Sequence, residues 1–273
     1  MRPQQVIYIF PAIRQLGWQR VALNVVYQAL LKTGVYRFLT PPKTYDGENV
    51  TLREDIPFPE MPLEFLRDRL SLAEKTDILI EADEILSGKL RLFDGTPRPL
   101  SLDPGTGRKH WSRFDKSHFN GEDIKFTWEP ARFEWLIPLG RAYLLNAKEI
   151  YPEAFCRYFE VFIQNNPPNC GPNWASAQEV AIRILMMAYA LRVFNQSAYS
   201  TTSRKHLLAR VMARHAERIS PTLLYARSQN NNHLLLEAVG LYTAGVLLPA
   251  HARAADWRKT GWYWFNRAIK EQI

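Results

Sequence analysis

Cysteine is nearly missing from this chain: Cys156 and Cys170 are the only two in 273 residues. That excludes a disulfide framework and leaves one bridge or two buried thiols, so redox compartment stays open. Long apolar runs are missing too, and no stretch approaches the roughly 18 residues of a membrane span. Val6 to Phe10 is apolar, but Pro11 breaks it. A secretory signal would need a longer apolar region and a small-residue cleavage site, and neither is seen. The six histidines, at 110, 118, 206, 215, 233 and 251, are scattered without matching carboxylates, so no metal-ligand set is expected. Neither a phosphate-cradling glycine loop nor a G-x-S-x-G elbow is found. Metal, nucleotide and hydrolase-triad chemistry therefore find no support, and no cofactor is expected.

What remains is a chain 47% hydrophobic and 12% aromatic, enough to bury a sizeable core in one or two domains. Its formal charge is +8 and its pI near 9.5, which suits a polyanionic partner: nucleic acid, anionic lipid or acidic polysaccharide.

Apolar spacing predicts a helix over 14–39, a Pro-rich polar connector over 40–62, and a second helix near 64–87. The alternating stretch 88–107, with its Asp-Gly and Pro turns, predicts one or two short strands. From residue 129 onward the pattern repeats. Helices are expected near 130–149, 152–165, 176–195, 202–219, 232–248 and 252–272. Pro130 sits where a first-turn proline belongs, and Ser176-Ala-Gln-Glu179 spells a capping box. Six helices with short connections mean antiparallel pairs, so the fold class expected is all-α, a stack either open or closed into a ring. The division expected is an N-terminal helical segment with its connector, 1–87, and a helical domain, 88–273.

Three polar and aromatic clusters begin the first, third and fifth of those six helices. One holds Lys125, Trp128, Glu129 and Arg132; another holds Asn173, Trp174, Glu179 and Arg183. The third is Ser228-Gln-Asn-Asn-Asn-His-Leu234, three amides and an imidazole ahead of an apolar helix. In an antiparallel stack alternate loops share a face, so the three should converge on one end, where a ligand cleft would lie. Each has a plainer reading. Glu129 with Arg132, and Glu179 with Arg183, have the spacing of intrahelical ion pairs. Trp128 and Trp174 are either core aromatics or sugar-stacking platforms, and Tyr225 and Tyr242 read as core. Arg210, Arg214 and Arg218 share one helical face and read as a solvated exterior. One asparagine of the triplet satisfies a helix N-cap, which leaves two amides and His233 over.

The three motifs in this order resemble the N-terminal domain of the heparinase II/III family of polysaccharide lyases. They run from Asp123 to Phe133, from Asn166 to Val180, and from Asn231 through His233 into Leu234-Leu-Leu-Glu-Ala-Val-Gly240. The resemblance covers about 88–273. It implies an (α/α) toroid of helical hairpins, here incomplete, normally followed by a β-sandwich domain missing from this chain. It also implies cleavage of an acidic, uronate-containing polysaccharide by β-elimination. The C5 proton of a uronate is too weakly acidic while its carboxylate is charged, so a donor must first neutralise that carboxylate. Asn232 matches the family position for this task, and His233 a position at the cleft, as base or carboxylate contact. Trp128, Glu129, Arg132, Asn173, Trp174 and Glu179 would line the substrate groove. The family's catalytic tyrosine would follow Ile273, and a further histidine comes from the sandwich domain, so this chain alone is not expected to turn over substrate. Location stays open between periplasm and cytoplasm of a bacterium, the family's usual context.

Two other classes fit the same residues. A non-catalytic helical scaffold would bind acidic glycan without chemistry. A toroidal glycoside hydrolase would need two carboxylates across the scissile bond, for which Asp123, Glu129 and Glu179 are the candidates. Nucleic acid is not expected as a partner, since basicity alone is thin support.

Overall fold

The structure, a computed structural model, describes residues 17–46, 50–53, 55, 67–105, 108–114, 123–229 and 231–272. The apolar stretch Val6–Phe10, most of the Pro-rich part of the connector and the start of the expected second helix lie outside the described residues. Among those described, the architecture is helical with one two-stranded antiparallel hairpin, as the apolar spacing predicts.

The expected first helix is two: α1 (Trp18–Thr33) and α2 (Val35–Leu39). They meet at Gly34, whose φ of 80° is a left-handed conformation that costs glycine nothing and closes α1 by donating to Leu30 and Leu31. Helix α3 (Leu72–Leu86) starts at a true capping box, Ser71 with Glu74. Strands β1 (Lys89–Arg91) and β2 (Pro97–Pro99) pair across the Asp-Gly turn.

The segment 130–149 departs from expectation. Pro130 is not at a helix start but one residue before the end of a short helix, α4 (Lys125–Ala131). Phe133 then turns with φ 68°, uncommon for a bulky residue, and α5 (Leu136–Asn146) begins beyond it. The turn drops Phe133 into the core, edge-on to Phe162, and leaves Arg132 facing the neighbouring helix. The strain, of order 1–3 kcal/mol for such a residue, is offset by that burial.

The rest follows the predicted pattern within a residue or two. Helix α6 is Ile150–Asn165, α7 Ala177–Phe194 and α8 Thr202–Ile219. A short α9 (Leu223–Gln229), not foreseen, precedes α10 (Asn232–Leu247) and α11 (Ala254–Gln272). Helices α7, α8, α10 and α11 pack as successive neighbours, with α7 also against α5, and α1 lies on α9. Helix α10 is apolar nearly all round, with Glu237 and Thr243 the polar exceptions beyond its head, which suits its place between α7 and α11. Its contacts are backbone-close: a Cβ on Gly240 would sit 2.9 Å from that of Ala181, and one on Gly261 would be 2.6 Å from the Ala238 carbonyl oxygen.

The arginine row of α8 corrects the expectation of a solvated face. Arg210 and Arg214 donate to the carbonyls of Tyr45 and Thr44, clamping the connector, and Arg218 is 1% exposed. Arg218 lies 3.7 Å over the Trp111 ring and donates to the carbonyls of Trp174 and Ala175. Tyr242, read as core, is instead exposed, while Tyr225 is half-buried against Tyr27. Both cysteines are free thiols. Among the described residues no helix is long and apolar enough to cross a membrane.

Candidate functional site

The three polar clusters do meet. Arg132, released toward α7 by the Phe133 turn, donates through Nε and Nη2 to the two carboxylate oxygens of Glu179 at 2.6 and 3.0 Å. Its Nη1 donates to Glu129, the pair expected from helical spacing. One guanidinium thus holds two carboxylates in planar, two-pronged geometry. The second expected pair is absent: Arg183 does not hold Glu179 but runs inward, donating to His215 Nε2 at 2.9 Å and to the Asn173 carbonyl. The capping box is absent as well. Ser176 makes no side-chain cap bond, and the Glu179 carboxylate that would complete the box is committed to Arg132.

Burial works against the charge of Arg132, but the bond to Glu179 and the attraction of both carboxylates outweigh it and strengthen its hold on the proton. Burial raises Glu129, opposed by Arg132. His215 donates from Nδ1 to the Val211 carbonyl and accepts from Arg183, so it is a neutral spacer; burial and that guanidinium hold it well below the usual imidazole range.

The second cluster forms the wall. In the 3₁₀ turn Pro172–Trp174, Asn173 and Trp174 are 1% and 0% exposed. Asn173 donates from Nδ2 to Asn166, while Trp174 donates from its indole to the Asn166 carbonyl and packs on His215. Of the two readings kept open for Trp174, the core one describes its position. Trp128 is half-buried and donates from its indole to the Pro172 carbonyl at 3.0 Å, tying the first cluster to this wall.

At the head of α10 the cap and the leftover groups separate. Asn231 is the N-cap, its side chain accepting from the His233 amide at 3.0 Å. Asn232, at the first helical position, is exposed, and His233 is half-buried beside Tyr225, ring centroids 6.0 Å apart and perpendicular. Burial lowers the His233 pKa, partly opposed by the nearby charge of Glu179, so the ring is neutral at pH 7. Its Nδ1 is buried without a hydrogen-bond partner among the described residues. The charge of Glu179 is felt at His233, and α7 packs directly on α10, so the third cluster lies near the second.

One group escaped the sequence reading. Glu237, one helical turn after His233, is fully buried, and neither carboxylate oxygen has a partner among the described residues. Burial, opposed by Arg218, pushes its pKa up to about 8, so it is protonated at neutral pH. Its position among apolar neighbours was legible; that no basic residue would bond it was not.

Residues 107–273 match the family model described as heparinase II/III N-terminus. A heparin-sulfate lyase of Bacteroides thetaiotaomicron is 30% identical over 145 residues, 52% of this chain and 20% of the relative. Another, of Bacteroides stercoris, is 26% identical over 172 residues, 56% of this chain and 25% of that protein. The chain thus spans a quarter or less of the curated relatives it matches. Among solved structures, a heparinase III with methylated lysines superposes with a TM-score of 0.56 at 22% identity, over 96% of this chain and 38% of the other. A heparan sulfate lyase mutant from Pedobacter heparinus gives 0.56 at 17% identity, over 97% and 37%. At those identities the likeness shows the fold, a toroid-type helical domain.

Proposed function

The chain belongs to the heparinase II/III family, and on that premise we propose that it is the toroid part of a polysaccharide lyase acting on an acidic glycosaminoglycan. The observation that carries this reading is the head of α10: an exposed amide, Asn232, next to an imidazole that burial keeps neutral, His233. The two curated relatives are heparin-sulfate lyases, which favours a substrate of heparin or heparan sulfate type.

In this mechanism the Asn232 amide donates to the uronate carboxylate, and so stabilises the enolate-like charge that develops when C5 is deprotonated. His233 takes the C5 proton as a neutral base, or holds the carboxylate beside Asn232. The C4–O4 bond then breaks, O4 takes a proton, and a C4–C5 double bond remains. The acid for O4 and the cover over the cleft are assigned to the tyrosine and sandwich domain of the longer protein. Arg132, Glu129 and Glu179 support the site: their mutual bonds tie the end of α4 to the start of α7, which packs on α10. Trp128 is the aromatic of the groove with surface to offer a sugar. The same bonding disfavours a glycoside hydrolase built on Glu129 and Glu179, because one guanidinium engages both carboxylates.

The test is the product. The protein extended through its sandwich domain should turn a uronate polymer into fragments with the ultraviolet absorbance of an unsaturated sugar. New reducing ends without that absorbance would mean hydrolysis and would overturn the proposal.

A further inference from the structure

A cavity of about 620 Å³ lies between the start of α1 and the end of α11, lined by Trp18, Arg20, Arg227, Trp264, Arg267 and Glu271. Leu234, the residue after His233, also lines it, so the cavity adjoins the head of α10. Its charge is unbalanced: among these residues three guanidinium groups face one carboxylate. That carboxylate is spoken for, since Glu271 accepts from Arg267 at 2.6 Å and from Arg20 at 3.2 Å.

Arg227 is the odd member. Its guanidinium lies 4.3 Å over the Trp264 ring, on which Arg267 also rests at 5.5 Å, and its Nε is buried with no hydrogen-bond partner among the described residues. Burial, and then the charge of Arg267, lower its hold on the proton. A guanidinium so placed serves structure poorly: it faces a like charge and leaves a donor unmade, a cost of about 1–3 kcal/mol. An anion in the cavity would offset the like charges of Arg227 and Arg267 and take donors from their guanidinium groups. Trp18, 68% exposed at the rim, offers a flat apolar face of the kind that stacks on a sugar ring.

We infer that this cavity is a subsite for an acidic sugar next to the one that is cut, its carboxylate or sulfate held by Arg227 and Arg267. This rests on the lyase reading and extends it from the reacting sugar to its neighbour. Guanidinium forks suit either oxyanion, so the chemistry shared by carboxylate and sulfate is what the site selects.

The probes are a sulfated uronate hexasaccharide and its unsulfated counterpart, titrated calorimetrically into the 273-residue chain. Arg227→Gln should weaken binding of the sulfated probe by about ten- to a hundredfold, the loss of a charge-assisted bond, and should flatten the salt dependence. Arg267→Gln, at an exposed position, carries the test alone if Arg227→Gln does not keep the helical circular dichroism. A parallel loss for the unsulfated probe assigns the carboxylate; a loss for the sulfated probe alone assigns the sulfate. Unchanged affinity in both variants overturns the subsite while the lyase reading stands. If the unaltered chain binds neither probe the subsite also falls, and ultraviolet-absorbing product from the longer protein then decides whether the lyase reading falls with it.

Discussion

Glu237 gives the sharpest test of the energetics. Its carboxyl is fully buried on α10 with no bonding partner among the described residues, and its pKa is pushed up to about 8 from 4.5. Because the folded state holds this proton more tightly than the unfolded chain, its contribution is complete below about pH 4.5. It is lost as pH rises toward 8. The gap, at about 1.36 kcal/mol per pH unit, gives an upper figure of roughly 5 kcal/mol, and water admitted to the charged form brings the expected loss to about 2–4 kcal/mol. Glu237→Gln removes the titration while nearly keeping the volume. Urea midpoints measured from pH 5 to 9 should fall for the unaltered chain and stay flatter for the variant, so that the variant becomes the more stable of the two near pH 8. In melting temperature the crossover spans several degrees, at about 2–4 °C per kcal/mol for a chain this size. Parallel pH profiles would refute the reasoning and mean that Glu237 is ionised and paired.

Other outcomes follow from the site. In the longer protein, Asn232→Ala should lower the elimination rate by about 10²–10³, as for loss of a donor to a developing oxyanion, with KM changed far less; near-normal turnover would remove Asn232 from the mechanism. With His233 as base, its pKa, lowered by burial, should set the acid limb of the kcat/KM profile below pH 6.5, and a limb above that value would count against the assignment. Arg132→Gln strands Glu179, whose side chain is 3% exposed, and should cost about 3 kcal/mol in chemical denaturation. Gly261→Ala forces a Cβ to 2.6 Å from the Ala238 carbonyl and should cost about 1–3 kcal/mol, read as a lower melting temperature.

Helix positions after residue 150 were legible because their apolar residues recur at three- and four-residue spacing. The break at Phe133 was not, since a left-handed turn at a bulky aromatic is held by Phe162, which lies far along the chain on α6. Helical spacing found Glu129 with Arg132, yet it also offered Glu179 with Arg183 and Ser176 with Glu179, and neither of those formed. Arg132 reaches Glu179 from another helix, a pairing that no local spacing shows. The arginine row of α8 looked like a wet surface because periodicity places residues on a face without saying what covers it. Here the connector carbonyls do. The contact between the first two clusters was legible in outline, because connectivity limits which loops can share an end of a stack.

The glycine contacts of α10 bear on how accurately the chemistry is aimed. At Gly240 and Gly261 the neighbouring helices meet through backbone and Cβ atoms, with no rotatable side-chain group between them. The axial position of α10 is therefore fixed by covalent dimensions, which do not drift when surrounding residues are exchanged. Asn232 and His233, two turns and less up the same rigid rod, inherit that tolerance. Sequence can vary widely around such a site while its aim stays constant.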